Sequence, residues 1–206
     1  MTTPDITLYG SIASRTFTAR WMLGELGVPY RFEVVDIRSG GQKAPAYLRL
    51  NPMGKVPTLT DGAVVVTETA AICLYLADRY GYGRLAPKVD DDTRGAYLRW
   101  AVFSTAVLEP AWQTKTAGLP AYQHGWGTLE TALDTLRLAI EPGPWLLGET
   151  FTAADVALGA VLSVGLFTKQ IPTDPILSAY NDRLAARPAY VSARDATWPP
   201  EQFPQP

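Results

Sequence analysis

The chain of 206 residues has one cysteine, Cys73, and one histidine, His124. A lone cysteine closes no internal disulfide and builds neither a CxxC redox pair nor a multi-cysteine zinc site. A lone histidine excludes a histidine-clustered metal site, and a local catalytic triad would need His124 itself. That residue lies in a glycine-rich loop with no evident partner, and Cys73 sits in an apolar helical stretch where it reads as packing. The remaining candidates are hydroxyls, carboxylates and cations at element boundaries. Glu68-Thr69 opens a helix directly after a strand. There the free N–H groups and the positive end of the dipole can hold a carboxylate, with the Thr69 hydroxyl as a further donor. The plain reading of the pair is an ordinary helix start. Tyr9-Gly10-Ser11-Ile12-Ala13-Ser14-Arg15-Thr16 joins a strand to a helix and sets two hydroxyls, Tyr9 and Ser14, near the fixed charge of Arg15. Read alone, Ser14 is an N-cap and Arg15 a solvated charge.

These positions depend on the elements around them. Ile6 to Tyr9 is a short β-branched and aromatic run stopped by Gly10-Ser11, which predicts a strand. Phe17 to Leu26 has helical spacing, with Gly27 at the position where a left-handed residue ends a helix. Arg31 to Val35 predicts a second strand, and Pro45 to Leu50 a short helix closed by Asn51-Pro52. Pro57 to Thr60, Asp61-Gly62 and Ala63 to Val66 read as a tight hairpin. Ile72, Tyr75, Leu76 and Arg79 then return to helical spacing. The order β-α-β-α-β-β-α predicts a mixed four-stranded sheet, with a right-handed parallel first unit and an antiparallel hairpin.

Beyond a linker at 81–86, residues 87–206 show little strand signal and predict an all-helical domain. Asp90-Asp91-Asp92 is either a helix-capping run or a solvated loop. A long helix is predicted from Thr93 to about Val107, interrupted near Glu109-Pro110. Further helices are predicted over Thr128–Ile140, Ala153–Phe167 and Pro175–Ala186. Thr152-x-x-Asp155 is a capping-box pattern at the start of a helix apolar nearly all round.

Asn51-Pro52-Met53-Gly54-Lys55-Val56-Pro57-Thr58-Leu59 and Glu68-Thr69-Ala70-Ala71-Ile72, followed by Pro144-Trp145-Leu146-Leu147-Gly148 and Phe151-Thr152-Ala153-Ala154-Asp155-Val156-Ala157, resemble the soluble, bacterial-type glutathione transferases. The resemblance spans all but about the last ten residues. It implies a thioredoxin-like first domain over residues 1–80, with the helical domain supplying the electrophile pocket. An X–Pro bond is ordinarily trans, but the resemblance implies a cis Val56-Pro57 peptide that turns the Val56 backbone toward an extended peptide ligand. It further implies glutathione as co-substrate. Its γ-glutamyl end would meet Glu68 and Thr69, its cysteinyl unit Val56, and its glycine carboxylate Lys55 helped by Lys43. Thr69 replaces the family's usual serine; the hydroxyl survives with narrower rotamers. For the thiolate, the resemblance aligns both Ser14 and Tyr9 with known thiol contacts. Ser14 is favoured because Tyr9 belongs to the strand, and Arg15 is a second candidate by charge. Trp100, Phe103, Leu108 and Trp112 are candidates for the apolar electrophile site, with core packing as the competing account.

The expected activity is conjugation of glutathione to a small hydrophobic electrophile, with peroxide reduction as a side activity. The alternatives are a non-catalytic binding protein on the same scaffold and a glutathione-dependent isomerase or dehalogenase. A disulfide reductase is disfavoured because the loop after the first strand holds no cysteine. Lys plus Arg total 18 and Asp plus Glu 20, a net charge of -2, which gives no global attraction to nucleic acid or anionic membranes. The first residues lack a signal-peptide order and no stretch reaches membrane-spanning length. A cytoplasmic homodimer without a metal is expected.

Overall fold

A computed structural model describes residues 5–199. The first half contains β1 (Ile6–Gly10), α1 (Thr16–Leu26), β2 (Arg31–Val34), α2 (Pro45–Leu48), β3 (Thr58–Asp61), β4 (Val64–Thr67) and α3 (Thr69–Tyr80). The predicted order and the mixed sheet are both present. The strands lie in the order β2-β1-β3-β4, with β1 parallel to β2 and antiparallel to β3, and β3 antiparallel to β4. Alternation along β1 sends Ile6 and Leu8 into the core, 1% and 0% exposed, so Thr7 and Tyr9 face the other side of the sheet. Fully buried Phe17, Trp21, Met22 and Leu23 of α1 and Ile72, Cys73 and Leu76 of α3 complete that core. Gly27 ends α1 in the left-handed region, and Gly62 takes the first loop position of the β3–β4 hairpin with φ 58°. A glycine first in a two-residue hairpin loop matches the twist of the flanking strands.

The second half is helical: α4 (Arg94–Phe103), α5 (Glu109–Thr116), α6 (Leu129–Ile140), α7 (Ala153–Phe167), α8 (Pro175–Ala185) and α9 (Pro188–Thr197). The long helix does not break at Pro110. Pro110 cannot donate into the preceding turn, and the irregularity lies there, in a π-helical turn over Ser104–Leu108. Of the three aspartates, Asp91 accepts from Thr93 N–H and hydroxyl at 2.8 and 2.6 Å, just ahead of α4.

The capping box is present at α7. Thr152 Oγ1 accepts Ala154 N–H, and Asp155 accepts Thr152 N–H at 2.9 Å. Asp155 also accepts Leu146 N–H and the Tyr180 hydroxyl, each at 2.9 Å. This ties the Pro144–Gly148 segment, α7 and α8 to one carboxyl, the physical reason these two sequence blocks occur together. Burial pushes the Asp155 carboxyl up, and its donors act against that.

The chain divides into two compact units, and α9 departs from the expected division. Residues 5–80 and 188–199 form one unit and 81–187 the other, so among the described residues α9 packs with the first unit and not with the helices that precede it. The cause is aromatic: Tyr190 of α9 meets Phe17 and Trp21 of α1 edge-on, with centroids 5.0 and 4.9 Å apart. No helix among the described residues is long and apolar enough to cross a membrane.

Candidate active site

Strand register gathers the candidate residues of the first unit. Tyr9 pairs with Thr58, and Thr58 with Thr67. The C-terminal end of β1, the N-terminal end of β3 and the C-terminal end of β4 therefore lie at one end of the sheet. From it emerge the loop carrying Ser14 and Arg15, the Lys55-Val56-Pro57 approach to β3, and the Glu68-Thr69 entry to α3. β2 runs parallel to β1, so its C-terminal end leads from the same side toward Lys43. The helices α1 and α3 both begin here, and their N-termini direct positive dipole ends toward it.

The Val56-Pro57 peptide is cis. Both ladders of β3 start at Thr58, so Val56 lies outside the sheet pairing. Two side chains that sequence reasoning gave no role, Tyr47 and Asn51, brace this approach. The Tyr47 hydroxyl donates to the Lys55 carbonyl at 2.6 Å and lies 2.8 Å from Thr58 Oγ1. Asn51 Nδ2 donates to the same two oxygens at 3.0 and 3.3 Å, while Asn51 Oδ1 accepts Met53 N–H at 3.1 Å. Burial raises the Tyr47 phenol above its ordinary value and the hydrogen bond with Thr58 opposes it, so Tyr47 acts as a neutral donor. Asn51-Pro52 was legible as a turn, and an asparagine holding the amide two residues on is the usual mechanism. Nothing in the pattern pointed to Tyr47.

Lys43 lies across the same loop. Its ammonium donates to the Met53 carbonyl at 3.3 Å, and a Cβ built on Gly54 would come within 2.8 Å of Lys43 Nζ and of the Gln42 carbonyl. Lys43 and Lys55 are both exposed.

Glu68 is exposed and left-handed, with φ 67°. Its carbonyl accepts Ile72 N–H at 2.9 Å, the first turn of α3. A non-glycine residue held there is strained, and such strain collects at binding sites. Ala13, with φ 49°, is a second case at the same end of the sheet.

Ser14 is half-buried in a hydroxyl network. Its oxygen lies 2.7 Å from both the Ser11 carbonyl and Thr16 Oγ1, and accepts Thr16 N–H at 3.2 Å. Thr16 Oγ1 in turn accepts Ser11 N–H at 3.0 Å. Thr16 lies so close over the chain that a Cβ on Gly10 would fall 2.4 Å from its methyl, so only glycine fits at the end of β1. The N-cap position of α1 belongs to Arg15, without a side-chain cap bond. Tyr9 stays within β1 and meets Tyr47 edge-on, centroids 6.4 Å apart.

In the second unit, three of the four apolar candidates are interior: Trp100, Leu108 and Trp112 are 4%, 0% and 6% exposed. Phe103 is half-buried against Trp100, centroids 5.1 Å apart. His124 stacks on Trp126 at 4.5 Å. Cys73 is fully buried, and burial pushes its thiol up to about 12, which leaves it inert. Among the described residues no group of three or more His, Cys, Asp or Glu could hold a metal ion.

Comparison with known proteins identifies the family. Residues 14–79 match the glutathione S-transferase N-terminal domain, and residues 120–163 the C-terminal domain. Glutathione S-transferase hmp2 of Hypomyces subiculosus is 41% identical over 110 residues, 49% of this chain and 50% of that protein. The chain likewise spans 40% of the length of Glutathione S-transferase 3 of Schizosaccharomyces pombe, so it covers half or less of these two relatives. Disulfide-bond oxidoreductase YfcG of Escherichia coli is 30% identical over 190 residues, 81% of this chain and 84% of that one. The theta class glutathione S-transferase of Xanthomonas axonopodis pv. citri, solved with glutathione bound, superposes with TM-score 0.72 at 32% identity, covering 92% and 97% of the two chains. With both domain models matched and this coverage at 30% identity and above, the chain belongs to the glutathione S-transferase family.

Proposed function

We propose that this protein is a glutathione transferase whose co-substrate lies across the end of the sheet where β1, β3 and β4 meet the N-termini of α1 and α3. The observation that carries this reading is the register Tyr9–Thr58–Thr67, which brings three separate loops together. In this reading Glu68 faces the γ-glutamyl ammonium, and the Thr69 hydroxyl with the first N–H groups of α3 holds the adjacent carboxylate. The Val56 N–H and C=O pair with the cysteinyl unit like an added strand. Lys55, helped by Lys43, takes the glycine carboxylate. Ser14 supports the thiolate by hydrogen bond and Arg15 by charge, while Tyr9 stays a strand residue. The thiolate attacks an electrophilic centre on a small hydrophobic substrate, forming a C–S bond as the leaving group departs with its electrons.

A homodimer is part of the proposal. Val64 and Val65 on the edge strand β4 are 45% and 46% exposed, and Leu98 and Val102 on α4 40% and 51%. Apolar surface of this kind is commonly covered by a second subunit. A cytoplasmic location is also proposed; it rests on the family match.

The relative named a disulfide-bond oxidoreductase favours a second reading. With no cysteine in the loop and Cys73 inert, the electrons would come from glutathione: two glutathione thiols reduce one disulfide to two thiols and leave oxidised glutathione. Calorimetry with glutathione, followed by assays with an activated aryl halide and with a small disulfide, tests both readings. Binding with conjugation supports the transferase, binding with disulfide reduction alone supports the second reading, and no binding at millimolar glutathione leaves a non-catalytic scaffold.

A further inference from the structure

Helix α9 reaches back to the loop that carries Ser14. The Ala13 N–H donates to the carbonyl of Thr197, the last residue of α9, at 2.8 Å. Ala13 has φ 49°, a conformation that a residue with a Cβ keeps only when its surroundings impose it. Trp198 follows directly and packs on Phe17 in the first turn of α1, centroids 5.0 Å apart and planes at 56°. Thr197 Oγ1 is fully buried and has no hydrogen-bond partner among the described residues. The hydroxyl therefore does not fix this end of α9; the Thr197 carbonyl and the Trp198 ring do.

We propose that Thr197 and Trp198 are positioning residues for the loop from Ser11 to Arg15. They hold Ala13 left-handed and thereby aim the Ser14 hydroxyl and the Arg15 guanidinium. The inference rests on the reading that this loop supports the glutathione thiolate. If the anchor is lost, residue 13 relaxes toward negative φ and the next peptide turns, carrying Ser14 with it. The ends of glutathione are held by other loops, so the thiolate responds and the affinity does not. The charged groups on these elements are Arg15 on the loop and Arg194 and Asp195 on the last turn of α9, the latter two paired at 2.9 Å. A substitution at Trp198 alters none of them.

The test uses the full chain with Trp198→Ala, Trp198→Phe and the double variant Ala13→Gly with Trp198→Ala, and Trp198→Leu in place of Trp198→Ala should that variant not fold. The thiolate absorbance of the glutathione complex is titrated and glutathione affinity measured by calorimetry. Trp198→Ala should raise the thiol pKa by about one unit, a tenfold lower thiolate fraction near neutral pH, with affinity within about twofold. Trp198→Phe should keep the titration. Ala13→Gly should recover much of it, because glycine adopts the left-handed conformation unaided. The titration reads the folded complex, so a loss of folding stability alone would not move it. An unchanged titration in Trp198→Ala, with a shift in Ser14→Ala, overturns the positioning role and leaves the thiolate reading intact. Should neither variant shift the titration, the thiolate reading fails. Amide exchange of Ala13 without glutathione then decides the positioning: tenfold faster exchange in Trp198→Ala with β1 and β3 unaffected sustains it, and unchanged exchange ends it.

Discussion

The Tyr47 hydroxyl donates to the Lys55 carbonyl at 2.6 Å, so a phenol from α2 fixes the residue that precedes the Val56-Pro57 peptide. The same oxygen meets Thr58 Oγ1 at 2.8 Å, on the far side of that peptide. One side chain therefore sets both ends of the segment proposed to pair with glutathione, without needing to touch it.

Tyr47→Phe should separate positioning from binding. It removes one donor, but Asn51 Nδ2 still reaches both oxygens, so the stability loss in urea should be about 1 kcal/mol. Glutathione affinity should fall several-fold, because the approach to β3 is then held by one side chain. Combining it with Asn51→Ala should cost more than the sum of the two, as expected for groups sharing partners. Strict additivity would show that the two side chains act independently.

Glu68 joins strain and charge in one residue, which makes two substitutions informative. Glu68→Gln keeps the backbone and removes the charge; a hydrogen bond between charged groups is worth about 1.5–3 kcal/mol, so glutathione affinity should fall by at least tenfold. Glu68→Gly removes the side chain and relieves the left-handed strain, although glycine gains freedom in the unfolded chain. Thermal stability should hold or rise while affinity falls at least as far as in the glutamine variant. A parallel loss of both would mean that Glu68 supports the fold and not the ligand.

Asp61 gives a pH prediction of definite sign. Its carboxyl is nearly buried, and burial by itself would raise its pKa. Hydrogen bonds from Tyr80 and Tyr75, at 2.6 and 2.8 Å, and the Arg79 guanidinium at 2.8 Å outweigh burial and hold it below the usual carboxylate value. A lowered folded pKa contributes stability that is complete above the unfolded value, about 4, and lost as pH falls toward the lowered one. Wild type should therefore exceed Asp61→Asn by a constant margin from pH 5 to 7, and the margin should shrink below pH 4. Urea midpoints at each pH measure it; a margin independent of pH down to 2 would show that ionised Asp61 gains nothing from its partners.

The parts that were legible in the sequence are those set locally. Period-2 and period-3.6 patterns with Asp61-Gly62 and Gly27 gave the order of elements, and α7 occupies the predicted span 153–167. Local signals also marked where Glu68-Thr69 and Ser14-Arg15 sit relative to helix starts. What the pattern did not give was contact over distance. The helix α9 lies in a proline-flanked stretch, and its place beside α1 depends on three aromatic pairings that no spacing records. The brace on Lys55 depends on Tyr47, whose role exists only once α2 folds over the β3 approach. Trp100, Leu108 and Trp112 looked alike as cleft or core, because an apolar stripe does not reveal what covers it.

The sulfur contact gives the last prediction. The Ser14 oxygen has one proton and two acceptors already at 2.7 Å, the Ser11 carbonyl and Thr16 Oγ1. To donate to a thiolate it must turn that one proton away from the acceptor that holds it, so its net support is smaller than that of an unengaged hydroxyl. A free thiol with pKa near 8.5 needs about 2.7 kcal/mol of stabilisation to drop two units. Ser14→Ala should therefore raise the pKa of bound glutathione by about one unit and slow conjugation about tenfold near neutral pH, with little change in affinity. The loss should fade as pH rises toward 8.5, where the thiol ionises without help. Arg15→Ala should shift the same titration if the guanidinium supplies the remaining field together with the start of α1. Tyr9→Phe should leave it alone, because Tyr9 lies in β1 with its ring edge-on to Tyr47. Titrating the thiolate absorbance of the three complexes separates the cases. A shift confined to Tyr9→Phe would move the catalytic role to the tyrosine, and no shift in any of them would leave the backbone N–H groups at the start of α1 as the support of the thiolate.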